Sequence, residues 1–329
     1  MAKLCSQISI HLTENVLEML HKRKIFTVLD FLHEDPEKLV YISKLPYKEI
    51  LQIRHTIIAN TSAFPQKGIN VYNDLVTNSA LIATGIQSLD TMLQGGLLTG
   101  SLYELCGFSG SGKTQLCLTV ATNVTQYLKQ QVHYVDAKLD FSGRRVQAML
   151  ESRGCDEELI GEVMEKIKVT RIQDVFQLFS FLHSLKERLQ HEQDERSGVR
   201  LIIIDSLPTI FFPFLGETHS GGFGLMNHLA STMKYIAQEF HIAFLLVNFA
   251  TRWHGDVAPG DDDENDDGSS DVSETIKPTL GKYWLHVPST RLFLEKKSKS
   301  DEVVISVIKS TRIKVGKLCS VVISSRGVE

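Results

Sequence analysis

The sequence predicts an α/β fold, in which helices cover a mostly parallel sheet that ends in antiparallel strands, preceded by a small all-α N-terminal domain. From about residue 100 onward, short apolar β-branched runs alternate with segments of helical periodicity, which is typical of a parallel sheet. The last runs follow one another without room for helices, which favours antiparallel hairpins. The first 60 residues show no period-two alternation, which favours helices alone there.

Length and hydrophobic content bound the domain organisation. The 329 residues, 43% of them hydrophobic, allow one ordinary domain and a small one. We predict a helical N-terminal domain over residues 1–60, a linker over 61–80 and the α/β domain over 81–329. The linker contains Pro65 and Gly68 and shows no regular hydrophobic periodicity, which favours an irregular segment.

Composition disfavours several classes of protein. The formal net charge of −4 argues against a generally basic surface that coats nucleic acid. No segment approaches the ~20 consecutive apolar residues of a membrane-spanning helix, so we expect no membrane partner. The five cysteines are scattered and lack the spacing of metal ligands, which favours reduced, buried thiols.

The α/β domain divides into elements in a regular order. The predicted strands are residues 101–106, 131–136, 167–172, 199–205, 242–248, 290–296, 302–309 and 317–324. The predicted helices are residues 114–129, 143–152, 173–192 and 222–240.

A phosphate-binding loop follows the first of these strands. Its pattern, G-x-x-x-x-G-K-[ST], is complete in Gly107, Phe108, Ser109, Gly110, Ser111, Gly112, Lys113 and Thr114. The glycines let backbone N–H groups surround a β-phosphate, and the following helix adds its positive N-terminal end. Lys113 would reach the β- and γ-phosphates, and the hydroxyl of Thr114 would hold Mg²⁺. A glycine-rich turn without nucleotide is the alternative, which the strand before the loop and the helix after it disfavour.

The second half of a nucleotide site is an acidic residue at the end of a buried strand. Residues 199–205 form an apolar run that ends in Asp205, and such a run is typical of a central parallel strand. Asp205 would lie beside the loop and hold the Mg²⁺ through water. Two predicted strands separate the loop from this strand along the chain. A sheet with other strands inserted between the two is the arrangement of recombination and motor ATPases.

Several phrases of the chain match one known family. They are Ala83–Asp90 with Gly95–Leu97, then Gly107–Thr114, Leu201–Ser206, Lys277–Gly281 and Val287–Leu292. Through these phrases nearly the whole chain resembles the eukaryotic branch of the RecA-like recombinases. Ser62–Pro65 and Val287–Arg291 resemble more particularly the D-type paralogues within that family.

The resemblance implies a RecA-like P-loop ATPase core that works with ATP and Mg²⁺ in homologous-recombination DNA repair, in the nucleus. It implies a DNA-dependent ATPase in a hetero-oligomer with other recombinase paralogues, acting on single-stranded or branched DNA. Two DNA-facing loops are expected, one around residues 211–224 and one after Asn248. Asn248 matches the polar residue that senses the nucleotide state in relatives. Arg145 matches an arginine that lies against the adenine, with an ordinary solvated helix arginine as the alternative.

The second DNA-facing loop contains an unusual segment. Residues 256–274 are polar, acidic and aperiodic, and we expect a disordered surface loop. Two interpretations stay open. A solvated insert without a role is the ordinary behaviour of such a charge run, whereas an electrostatic gate would repel the phosphates of DNA.

Two departures from the family pattern bear on mechanism. Lys138 stands where relatives that hydrolyse ATP well carry the glutamate that orients the attacking water, and an ammonium cannot accept a proton. Asp136 and Asp140 are not in register with that position, so we identify no catalytic base and expect weak turnover with ATP binding nearly intact. The linker lacks the Phe-x-x-Ala phrase of filament-forming relatives, since residues 64–67 do not match it.

Two functions from different classes follow. The first, which both departures favour, is an ATP-binding paralogue that binds single-stranded DNA within a paralogue complex and assists the assembly of recombinase filaments. The second is a self-sufficient, filament-forming strand-exchange ATPase. A scaffold with an inactive nucleotide site is a minor third, because the residues of the loop and Asp205 are all intact.

Overall fold

The computed structural model describes residues 3–61, 63, 65–191, 198–215, 220–253, 275–297 and 300–329. The chain divides into two compact units, Met1–Asn73 and Asp74–Glu329. No helix in these described ranges is both long and apolar enough to cross a membrane.

The first unit consists of short helices around one apolar core. It contains a 3-10 helix at Ser6–Ile8 and the helices α1 (Glu14–His21), α2 (Val28–His33), α3 (Pro36–Ser43) and α4 (Tyr47–Thr61). Each of the four α-helices contributes to the core an apolar stripe, whose wholly buried side chains include Leu20, Phe31, Leu39, Ile50 and Ile53. The predicted all-α character of the N-terminal region is confirmed.

A helix lies where the sequence predicted an irregular linker. Helix α5 (Gly68–Asn78) falls inside residues 61–80, and the side chains of Ile69, Tyr72 and Val76 on it are exposed. Their spacing of i, i+3 and i+7 is helical. Pro65 and Gly68 stand before and at the first residue of the helix, where they are compatible with a helix start and do not interrupt it.

The second unit alternates strands and helices along most of its length. Its strands are β1 (Leu81–Ile82), β2 (Leu97–Leu98), β3 (Leu102–Gly107), β4 (Gln131–Asp136), β5 (Ile167–Arg171), β6 (Val199–Asp205), β7 (Ala243–Val247), β8 (Ala250–Trp253), β9 (Thr275–Pro278), β10 (Thr290–Lys296), β11 (Glu302–Ser310), β12 (Leu318–Ser324) and β13 (Gly327–Val328). Its helices are α6 (Gln87–Met92), α7 (Lys113–Tyr127), α8 (Gly143–Ser152), α9 (Glu157–Lys166), α10 (Val175–His191), α11 (Leu207–Phe211), α12 (Ser220–Glu239) and α13 (Gly281–Trp284), with a 3-10 turn at Phe212–Phe214.

The main sheet has nine strands in the order β13-β12-β11-β10-β3-β7-β6-β4-β5. From β10 to β5 all neighbours are parallel, whereas β10 to β13 pair antiparallel. The predicted mostly parallel sheet with C-terminal antiparallel strands is therefore confirmed. A single strand, β7, is inserted between β3 and β6, and apolar clusters cover both faces of the sheet. The carboxyl ends of β3, β7 and β6 consequently meet at one edge, where ligands bind in such sheets.

Some local predictions differ from the structure. Helix α9 was not predicted, although Asp156 caps it by accepting from the backbone N–H of Leu159, a recognisable helix-start signal. The first predicted DNA-facing loop, residues 211–224, is helical at both ends, because α11 and the 3-10 turn extend into it and α12 begins at Ser220. Residues 216–219 of that loop and the acidic segment 256–274 lie outside the described residues.

Candidate nucleotide-binding site

The phosphate-binding loop connects β3 to α7. Gly110 and Gly112 have φ angles of +75° and +93°, which glycine adopts without the strain that a side chain would cause. A Cβ atom on Gly107 would collide with the backbone carbonyl of Leu294 on β10. Ser109 is exposed at the tip of the loop. Helix α7 begins directly after Gly112, so its unpaired N–H groups and its positive dipole end face the loop, as an anion site requires.

The ammonium of Lys113 is buried against the loop. Its Nζ donates hydrogen bonds to the carbonyl oxygens of Gly107 (2.9 Å) and Phe108 (2.6 Å) and to Oγ of Ser111 (3.2 Å). Burial lowers the pKa of Lys113, and the nearby ammonium of Lys138 lowers it further. An anion bound in the loop would offset both effects, because it supplies the negative charge that a buried ammonium lacks.

Asp205 meets the loop through a side-chain hydrogen bond. The hydroxyl of Thr114 donates to Oδ2 of Asp205 at 2.7 Å, and the hydroxyl of Tyr134 donates to the same oxygen at 3.1 Å. Burial raises the pKa of Tyr134 well above its ordinary value, so Tyr134 remains a donor at neutral pH. Oδ1 of Asp205 is buried and has no hydrogen-bond partner among the described residues. A hydroxyl beside a carboxylate whose second oxygen accepts no hydrogen bond from the described residues fits Mg²⁺, which prefers oxygen ligands.

Lys138 lies in the turn after β4. Its Nζ is 3.0 Å from Oδ2 of Asp140 and 3.8 Å from Oδ1 of Asp205. Burial by itself would lower the pKa of Lys138, but the two carboxylates outweigh it and raise the pKa above its ordinary value. Asp136 accepts from the backbone N–H groups of Asp140 and Phe141, so it holds the turn. Both neighbouring carboxylates are thus engaged in other contacts, and the prediction that neither replaces the expected glutamate stays a prediction.

Arg145 on α8 is held by three acceptors. Its Nε donates to Oε1 of Gln115 (2.9 Å), and its terminal nitrogens donate to the carbonyl oxygens of Ser324 (2.6 Å) and Ser325 (3.0 Å). Gln115 follows Thr114 in α7, so Arg145 ties the loop helix to the turn between β12 and β13. The alternative of an ordinary solvated arginine does not fit these contacts, while a role at the adenine stays a prediction.

Asn248 follows β7 in a buried polar network. Its Nδ2 donates to Oε1 of Glu104 at 2.6 Å, and its Oδ1 accepts from the hydroxyl of Thr279 at 2.8 Å. Glu104 also accepts from the indole nitrogen of Trp284 at 3.0 Å and from Nε of Arg291. All of these groups except Thr279 are at most 4% exposed. The network therefore fixes Asn248, the residue just before the predicted second loop, to β3, the strand that leads into the phosphate loop.

Two family models match this chain. The Rad51 family model matches residues 77–329. The chain belongs to the Rad51 family. A second model, described as the RAD51D N-terminal domain, matches residues 1–60, so this Rad51-family chain combines both parts of a RAD51D-like paralogue.

The most similar relatives include DNA repair proteins of the same type. The chain is 34% identical to "DNA repair protein RAD51 homolog 4" of Bos taurus, over 93% of this chain and 90% of the relative. It is 36% identical to the Mus musculus protein of that name, over 86% and 82%. Similarity to "DNA repair protein RAD51 homolog 2" of Homo sapiens is lower, at 28% identity over 87% and 79%. The resemblance to the D-type paralogues is confirmed.

Sequence reasoning missed three residues around the site of this Rad51-family chain. They are Glu104, Trp284 and Phe249. The ring centroid of Phe249 lies 5.7 Å from Nζ of Lys113 and 5.8 Å from Nζ of Lys138. Glu104 carried a usable signal, because a charged residue inside an apolar strand is rarely buried without a partner. Nothing in the sequence indicated that the ring of Phe249 lies close to both lysines.

Proposed function

We propose that this chain is an ATP-binding recombinase paralogue that acts in DNA repair by homologous recombination. In this proposal it binds ATP and Mg²⁺, binds single-stranded or branched DNA within a hetero-oligomer of recombinase paralogues in the nucleus, and assists recombinase filament assembly. The contact between Thr114 Oγ1 and Asp205 Oδ2 carries the proposal. It joins the loop to the end of β6, and Oδ1 of Asp205, which has no hydrogen-bond partner among the described residues, can still coordinate a cation.

The residues named for nucleotide binding have distinct roles in this proposal. The backbone of residues 107–112 and the ammonium of Lys113 bind the phosphates, and Thr114 with Asp205 holds the metal. Mg²⁺ supplies charge that stabilises the triphosphate. Arg145 positions the loop helix for the base, and Asn248 links the phosphate loop to the second loop.

Hydrolysis by the isolated chain is proposed to be slow. Phosphoryl transfer to water needs a group that orients the water. Lys138 stands at that position, and Asp136 and Asp140 are engaged with the turn and with Lys138 itself. These contacts favour a DNA-dependent ATPase of weak activity over the alternative, a self-sufficient strand-exchange ATPase.

Aromatic side chains near the first predicted loop support contact with single-stranded DNA. Phe212 and Phe223 lie near the two ends of that predicted loop and are 48% and 61% exposed. Exposed aromatic rings stack on unpaired bases in proteins that bind single strands. The ring of Phe212 is 6.3 Å from that of Phe249, which brings Phe212 close to the candidate nucleotide site.

Thermal melting with and without Mg·ATP tests the nucleotide part of the proposal. A ligand that binds only the folded state raises its stability, by about 2.7 kcal/mol at a hundredfold excess over Kd. We expect a higher melting temperature for the wild type and none of this increase for Lys113→Ala. An equal increase in both proteins contradicts the proposal. Co-purification from nuclear extract, with analysis of the bound nucleotide, tests the paralogue complex, and recovery of the chain alone contradicts it.

A further inference from the structure

The candidate site contains a second lysine besides that of the phosphate loop. Nζ of Lys113 and Nζ of Lys138 lie at similar distances, 5.7 Å and 5.8 Å, from the ring centroid of Phe249. Lys113 belongs to the loop pattern, whereas Lys138 comes from the turn after β4. The site therefore holds one cation more than a phosphate-binding loop alone provides.

Lys138 shares a carboxylate oxygen with the metal position. Its Nζ lies 3.8 Å from Oδ1 of Asp205, the buried oxygen that has no hydrogen-bond partner among the described residues. The other oxygen of Asp205 accepts from Thr114. A divalent cation held by Thr114 and Asp205 would thus neutralise the same carboxylate as the ammonium of Lys138, and each would supply positive charge for a triphosphate bound in the loop.

The surroundings of Lys138 strengthen this effect. The side chain is only 24% exposed, and charges interact more strongly where water is partly excluded. Asp140 holds the ammonium from the solvent side at 3.0 Å, which reduces the conformational freedom that the side chain would lose on binding. The ammonium is therefore already positioned for an anionic ligand.

We propose that Lys138 replaces much of the charge of Mg²⁺ at this site, so that the chain binds ATP with little dependence on a divalent cation. The inference rests on the proposed ATP binding and extends it. It also explains how a lysine at position 138 affects both the binding and the hydrolysis of ATP. The ammonium holds the triphosphate, yet it offers no acceptor for the proton of the attacking water.

Equilibrium binding of a fluorescent ATP analogue to the full chain tests the proposal. The measured quantity is the ratio of Kd in EDTA to Kd in excess Mg²⁺. We expect a ratio below about 5 for the wild type and above about 50 for Lys138→Gln, because a lost charge-assisted contact of about 1.4 kcal/mol changes Kd tenfold. Lys138→Met is the second variant, should the glutamine variant fold poorly.

Lys129→Gln is the matched control. It removes the same charge just beyond the far end of α7, roughly 22 Å along that helix from Lys113, where Lys129 pairs with Glu162. This control should keep the wild-type ratio. A wild-type ratio as large as that of Lys138→Gln overturns the inference while ATP binding itself stands. If the wild type binds no ATP analogue in EDTA and none in excess Mg²⁺, the proposed function and the inference are overturned together.

Metal affinity provides a readout that is independent of nucleotide affinity. Mn²⁺ binding to the protein–nucleotide complex, followed by electron paramagnetic resonance, should be at least about tenfold tighter in Lys138→Gln than in the wild type, since the ammonium no longer competes for Asp205. Equal Mn²⁺ affinity in the two proteins contradicts the proposal that Lys138 replaces much of the charge of Mg²⁺.

Discussion

A buried histidine should make the stability of the second unit depend on pH. His133 on β4 is 5% exposed, and its Nδ1 has no hydrogen-bond partner among the described residues. Burial, together with the charges of Arg188 and Lys168, lowers the pKa of His133 from 6.5 to about 4. The folded chain thus keeps this imidazole neutral at a pH where the unfolded chain protonates it.

The sign and size of the effect follow from these two pKa values. The favourable contribution of the neutral imidazole is complete above pH 6.5 and is lost as the pH falls towards 4. A difference of about 2.5 pKa units corresponds to about 3.4 kcal/mol in the free energy of unfolding, and about 2 kcal/mol of this is lost already at pH 5. His133→Phe keeps an aromatic ring and removes the titration.

Urea unfolding between pH 4.5 and 7.5 measures the difference between the two proteins. Both tryptophans, Trp253 and Trp284, lie in the second unit, so tryptophan fluorescence reports on that unit. When the pH is lowered from 7.5 to 5, the free energy of unfolding of the wild type should fall by about 2 kcal/mol more than that of His133→Phe. His183→Phe, the same change at an exposed position of α10, is the control. Parallel pH curves for the wild type and His133→Phe would refute the reasoning.

Three further predictions concern the site and its surroundings. Lys138→Glu restores a proton acceptor and should raise single-turnover ATP hydrolysis by about 10²-fold when partners and DNA are present; an unchanged rate would show that another group orients the water. Arg291→Met leaves the Glu104 carboxylate buried without its ion-pair partner and should lower the free energy of unfolding by about 3–5 kcal/mol. The double variant that also carries Glu104→Gln should recover part of that loss in the same urea assay. If the effects of the two substitutions on the free energy of unfolding simply add, the result would argue against the ion pair. Replacing the carboxylates of residues 261–271 by amides should tighten binding to labelled single-stranded DNA, most strongly at low salt, whereas equal affinity at every salt concentration identifies a passive insert.

Much of the fold was predictable because it depends on local patterns. The apolar run at β6 and the alternation of strands and helices indicate a parallel sheet without knowledge of distant contacts. The phosphate loop was equally predictable, since its chemistry lies in consecutive residues. The position of β7 between β3 and β6 was not predictable in this way, because strand order depends on which surfaces pack together in the whole domain.

The candidate site shows the same division between local and distant information. Lys138 was recognisable by its place after β4, but its 3.8 Å approach to Asp205 joins segments that are far apart in the chain. The same holds for Arg145, whose acceptors Ser324 and Ser325 lie near the end of the chain. Sequence identifies such groups by type, and only the packed structure pairs them.

The contacts of Asn248 and Phe249 give the second loop a physical connection to the nucleotide site. Asn248 bonds to Glu104 on the strand that leads into the phosphate loop, and the ring centroid of Phe249 lies 5.7 Å from Nζ of Lys113 and 5.8 Å from Nζ of Lys138. Movement of either ammonium towards a phosphate would change its electrostatic contact with that ring. Asn248 immediately precedes the segment expected to face DNA, and Phe249 begins it. Binding of nucleotide and binding of DNA would therefore affect the same few side chains, which is the physical requirement for coupling between two sites.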